Sequence, residues 1–201
     1  MARKTKAEAE RTRLRILRTS LDVFLRKGYE RTTFEDVAAR IGLTKGAVYW
    51  HFKSKPVLLM ALVEYMAAKH EAALGEVGSS ETMEGLRDEF VKRSGRWMGD
   101  AEGKKFLKLV TQMDWSSRQA KPVALKMATY DKGLLAGMER ALGELKAKGR
   151  VKKEVDVRLA AVVLATMWMG LMKAKVNYGK KVDLPKAIGF GFDMAIAAMG
   201  V

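Results

Sequence analysis

The 201-residue sequence predicts an all-α chain of about nine helices, with an N-terminal helix-turn-helix and a larger C-terminal helical bundle. Three observations carry this reading. Apolar residues recur at helical spacing along the chain, and no stretch alternates as a half-buried strand would. The three prolines, Pro56, Pro122 and Pro185, each fall where a helix would begin. Residues 33–55, TFEDVAARIGLTKGAVYWHFKSK, divide into two short helices around a tight turn, followed by the start of a third.

Residues 2–7 form a basic arm, suited either to contact with phosphates or the minor groove or to being an ordinary terminus. The first helix is expected from about Glu8 to Lys27, with Ile16, Leu17, Leu21, Phe24 and Leu25 on its apolar face and Gly28 ending it. Thr33 then caps a short helix, with Asp36 three residues on as a partial capping box. Gly42 supplies the turn, where positive φ is tolerated, and Thr44 caps the next helix. Val48 and Phe52, four apart, point inward and leave Lys45, Gly46, Tyr49 and Trp50 outward.

A helix that exposes this set suits a major groove. Glycine lets the backbone approach, lysine reaches phosphate or a guanine edge, and the aromatic pair packs on sugar and thymine methyl groups. The same spacing also fits a plain three-helix corner. Ser54 can cap the helix from Lys55 to about Leu74, whose N-terminus offers amide donors to a phosphate beside Lys55. A loop follows over Gly75–Glu81, then helical stretches near 82–98, 103–115, 120–148, 155–177 and 184–199.

Charge and composition narrow the function. The chain holds 38 Lys+Arg against 23 Asp+Glu, a net charge of +15. Residues 1–56 alone carry 14 basic and 6 acidic side chains, so positive charge is concentrated there and favours a polyanion. There is no cysteine, and the two histidines are His51 and His70. Nucleophile–base pairs, Gly-rich phosphate loops and metal-ligand spacings are missing, so no catalytic residue, metal or cofactor is expected. The start MARKTKAEAERTR lacks a secretory h-region, and the longest apolar run, Leu159–Met172, is short for a bilayer span. A soluble cytoplasmic protein with no membrane partner is expected.

ARKTKAEAERTRLRIL and FLRKGYERTTFEDVAARIGLTKGAVYWHFKSK resemble the TetR family of transcriptional regulators, and more narrowly its AcrR/TtgR-like multidrug efflux repressors. The resemblance covers roughly the first 65 residues. It implies a DNA-binding domain over 1–56 and a ligand-binding and dimerisation domain over 57–201. The residues assigned to DNA are Thr33, Thr44, Lys45, Gly46, Tyr49, Trp50, His51 and Lys55. The large soft residues of the second domain are either core or cavity lining, and the resemblance favours a cavity, assigned to Met66, His70, Trp97, Phe106, Met113, Met167, Trp168 and Lys173. The family pairs through its last two helices, which places the dimer surface on Leu164, Met169, Ile188, Gly191, Phe192 and Ala195. A tight intrachain contact is the other use for the small residues there.

The resulting expectation is a homodimeric repressor on a palindromic operator in double-stranded DNA, controlling efflux-pump or related genes and released by a small apolar effector. Val157–Val176 holds no Asp or Glu but carries Arg158, Lys173 and Lys175, so a neutral or anionic effector is expected rather than a cation. An activator of the same architecture, or a non-specific basic DNA-binding protein, fits the sequence as an alternative.

Overall fold

In the computed structural model, which describes residues 5–74, 77, 78 and 80–200, Thr5 rather than Glu8 opens the first helix. Its hydroxyl accepts the Glu8 N–H while Glu8 accepts the Thr5 N–H at 2.8 Å, a full capping box. Residues 5–7 of the expected arm are therefore cap and first turn, and residues 2–4 lie outside the described residues, as do Gly75, Glu76 and Ser79 of the expected loop.

The elements are α1 (Lys6–Lys27), α2 (Phe34–Arg40), α3 (Lys45–His51), α4 (Lys55–Leu74), α5 (Met83–Gly99), α6 (Ala101–Gln112), α7 (Lys121–Ala147), α8 (Val157–Tyr178) and α9 (Leu184–Met199), with a 3₁₀ turn at Gly179–Lys181. Among the described residues there is no strand, only one isolated bridge between Val151 and Gly200, and the fold is all-α. Helix α6 ends at Gln112, three residues before the expected end. Trp115 turns back to donate its indole N–H to the Val110 carbonyl at 2.9 Å, and Asp114 accepts the Ser116 N–H at 2.9 Å.

The chain divides into two compact units, residues up to 68 with 105–127, and residues 69–104 with 128–201. In the first, Ile16, Leu17, Phe24, Val37, Val48, Phe52 and Leu62 form a dry core, joined by Phe106, Leu109 and Val123. Ion pairs that tie its elements together include Lys27–Asp36 and Lys105–Asp22, each at 2.6 Å. The lysine beside it, with the Thr33 N–H and hydroxyl, holds the Asp36 carboxyl down at about 2.

In the second unit α5 packs on α8 and α9. Phe90 sits 5.4 Å from Phe192 and edge-on to Trp168 at 5.5 Å. Trp168 donates its indole N–H to Ser94 Oγ at 2.7 Å, and the Ser94 hydroxyl in turn donates a hydrogen bond to the Phe90 carbonyl. Arg93 pairs with Glu89 at 2.7 Å, both well buried, and Arg87 reaches Asp193 at 2.7 Å. Leu164, Ile188 and Phe192 lie wholly inside this unit.

Helix α8 has 22 residues and mean hydropathy 1.5 over its most apolar window, long and apolar enough to cross a membrane. Length and composition alone do not separate such a span from the buried helix expected from the run Leu159–Met172. One side of α8, with Ala161, Leu164, Ala165, Trp168 and Met172, is nonetheless spent on the core of this unit.

The small residues of α9 are not equivalent. A methyl on Gly191 would overlap the Met167 sulfur of α8, whereas a methyl on Gly189 meets nothing within 4 Å. Gly189→Ala should therefore raise unfolding free energy by about 0.5–1 kcal/mol through helix propensity. Gly191→Ala should gain less than Gly189→Ala, since the flexible, half-buried Met167 side chain must first swing aside. Urea unfolding of the two variants measures this, and the larger gain is expected at Gly189.

Candidate nucleic-acid interface

The α2–turn–α3 corner is built from its caps. Thr33 Oγ1 accepts the Asp36 N–H, and Asp36 accepts the Thr33 N–H at 2.8 Å, completing the box. Gly42 turns the chain at φ +66°, and the Leu43 N–H returns to the Ala38 carbonyl at 2.9 Å. Thr44 Oγ1 then accepts the Ala47 N–H at 3.2 Å and starts α3. Val48 and Phe52 are sealed in the core, and the Arg13 guanidinium covers the Phe52 ring at 5.4 Å.

That burial fixes what α3 presents. Trp50 is 66% exposed and Tyr49 44%, with Thr44, Lys45 and Gly46 exposed beside them. Tyr49 stands edge-on to Phe34 at 4.8 Å, so its ring is braced by α2. Lys45 is held at 2.5 Å by Glu35, whose carboxyl it keeps below the usual carboxylate range. His51 lies edge-on to Trp50 at 4.5 Å.

Two assigned residues are differently engaged. The Thr33 hydroxyl is occupied by its capping box. Lys55 donates to the Glu30 carbonyl at 2.7 Å and lies over the Tyr29 ring at 4.7 Å, and burial pushes its pKa down. It reaches a phosphate only by leaving Glu30.

The residues assigned to a ligand fall into both units. Met66 and Phe106 are core of the first, and Met113 lines a cleft there. In the second, His70 lies edge-on to Trp97 at 4.1 Å, and the Trp97 indole N–H is buried with no acceptor. Trp168 is already hydrogen-bonded to Ser94, Met167 packs on Gly191, and Lys173 is exposed. Of the residues assigned to dimerisation, Leu164, Ile188 and Phe192 are core, Gly191 meets Met167, and Met169 and Ala195 are half-buried. The open apolar side chains of α8 and α9 are instead Leu159, Val162, Val163, Phe190 and Met194. The i, i+3, i+4 spacing of Leu159, Val162 and Val163 was the available signal for this second stripe. Glu35 and Arg13 were also missed, since nothing in their sequence positions marks them as partners of Lys45 and Phe52.

The model for bacterial regulatory proteins of the tetR family matches residues 16–62, the segment that builds this corner. Over that segment the chain is similar to the tetR family. The relatives that it matches along most of its length are named as transcriptional regulators. It is 26% identical to the HTH-type transcriptional regulator TtgR of Pseudomonas putida, over 96% of each chain. It is 42% identical to AcrR of Shigella flexneri over 77 residues, 38% of this chain and 34% of that one. Among solved structures it is similar to SmeT, repressor of the Stenotrophomonas maltophilia multidrug efflux pump SmeDEF. In the SmeT–triclosan complex the TM-score is 0.80 at 27% identity, over 95% of this chain and 92% of the other. NalD of Pseudomonas aeruginosa, at 19% identity and TM-score 0.83 over 97% and 98%, shares the fold.

His70 gives this regulator a pH signature. Burial, with the Arg93 charge second, lowers its pKa to about 4. In the unfolded chain it takes up its proton near 6.5, while the folded chain resists protonation until about 4. Stability is therefore full above pH 6.5 and falls as pH drops toward 4, by about 1–2 kcal/mol after allowance for its partial exposure. Urea unfolding from pH 7 to 4 should show this slope, and His70→Gln should flatten it.

Proposed function

We propose that this regulator is a homodimeric repressor of efflux-pump or related genes, and that a small apolar effector releases it from a palindromic operator. The observation that carries the DNA reading is the outward set Thr44, Lys45, Gly46, Tyr49 and Trp50 on a helix whose rotation is fixed by Val48 and Phe52. The operator-contacting residues are these with His51 and Lys55, the lysine exchanging Glu30 for a phosphate. Thr33 positions α2 through its capping box. In functional terms the division is 1–56 for DNA and 57–201 for ligand and dimer.

Dimerisation uses the open stripe of Leu159, Val162 and Val163 with Phe190 and Met194, flanked by Met169 and Ala195. A single short recognition helix makes too small an interface for site-specific binding, so a second copy is required. SmeT, solved with triclosan, supports a small apolar effector. His70 and the unpartnered Trp97 N–H are the polar contacts for it, and a neutral imidazole beside Arg93 disfavours a cation. Repression follows if the effector binds the released form better than the DNA-bound one. The site of action is the cytoplasm.

Selection of binding sites from random duplexes tests this reading. An inverted repeat is expected, and Tyr49→Ala or Lys45→Ala should weaken binding to it by about tenfold or more while leaving helicity unchanged. Neutral or anionic aromatics should then release the selected duplex, whereas cationic ones should not. Recovery of sequences with no shared motif would favour non-specific binding.

A further inference from the structure

A cleft of about 380 Å³ opens within the first unit, between the turn that follows α1 and the end of α6. Phe24, Leu109 and Met113 supply its apolar wall, and the Tyr29 ring lies among them. We propose that this cleft is a second small-molecule site, set in the same compact unit as α3, and that it takes a compact aromatic carboxylate. It is separate from the effector site proposed for the bundle.

Size, packing and charge each bear on the occupant. The volume falls at the small end of ligand pockets and suits one or two fused rings. Met113 and the aromatic wall favour a flat apolar body, since a thioether packs well against ring faces and edges. The rim carries Arg26, Arg31, Glu30 and Asp114, equal numbers of each sign, but they are not equally available.

Both acids are already engaged as acceptors. Glu30 accepts the Ser117 hydroxyl at 2.7 Å. Asp114 accepts the Ser116 hydroxyl at 2.6 Å and its N–H at 2.9 Å. The arginines keep most of their donors. Arg31 gives only its Nε–H, to the Lys27 carbonyl at 3.0 Å, and Arg26 makes no hydrogen bond or ion pair among the described residues. A planar carboxylate matches the free guanidinium edges.

Tyr29 adds a second, independent observation. Its hydroxyl is buried with no partner, and desolvation raises its pKa, so it stays a protonated donor. The Lys55 ammonium over its ring adds to the positive potential on this side. An anionic acceptor at this rim meets the two arginine edges, and the Tyr29 hydroxyl behind the wall is a donor without a partner.

The test uses the full chain with methyl-labelled methionine, 2-naphthoate as probe, and Met113→Leu to identify the Met113 methyl signal. That signal should shift saturably with 2-naphthoate, and 2-naphthylmethylamine should leave it in place. Arg26→Gln with Arg31→Gln should weaken the response by about tenfold, through loss of charge-assisted donors. Asp114→Asn should strengthen it, since one rim anion is gone. Both changes lie at exposed positions, and the unshifted methionine signals report that the fold is kept. A Met113 methyl that does not move at millimolar 2-naphthoate overturns the proposal. So does an equal response to the amine, an unchanged affinity in the double variant, or shifts confined to methionines of 128–201 such as Met167.

Discussion

The burial of Val48 and Phe52 is the constraint on which the DNA-facing surface depends. With seven residues, α3 is too short to hold a helical conformation or a rotation by itself. Thr44 starts it, and the two apolar anchors set its phase against the core. Once they are seated, Tyr49 and Trp50 can only face outward. The α2 scaffold is held in turn by the Thr33–Asp36 box and the Lys27–Asp36 pair, so one carboxylate serves both a helix start and the packing of α1 on α2.

The polar contacts around this surface divide into fixed and exchangeable ones. The Thr33–Asp36 box is satisfied within itself and acts as framework, while Thr44 caps α3 by accepting the Ala47 N–H. Lys45 and Lys55 are held by Glu35 and by the Glu30 carbonyl, partners that a phosphate or base edge can replace. The Lys45–Glu35 pair is exposed and contributes little to stability. Such pairing keeps two cations ordered near the groove-facing helix at small energetic cost to their release.

The parts of this architecture that depend on local chemistry were legible in the sequence. Caps at Thr33 and Thr44, the positive φ of Gly42, and the inward phase of Val48 and Phe52 follow from residue type and spacing, and the structure contains each of them. The capping box at Thr5 and Glu8 carried the same signal and was passed over for an arm. Contacts between distant segments were not legible. Trp168 was assigned to a cavity because nothing local reveals that Ser94, 74 residues away, accepts its indole N–H. The assignment of Leu164, Ile188 and Phe192 to an outer face had a different cause. Helices α8 and α9 are apolar on more than one side, and spacing alone cannot say which stripe faces the chain's own core.

The central claim is that α3 meets DNA through its exposed aromatic face, and Trp50 can report on it directly. In a variant that keeps Trp50 and replaces Trp97, Trp115 and Trp168 by Phe, emission and iodide quenching would be followed as the selected duplex is added. The account predicts that Trp50, 66% exposed in the free chain, loses most of its access to iodide as the complex saturates. Unchanged quenching of Trp50 in the fully formed complex would contradict it.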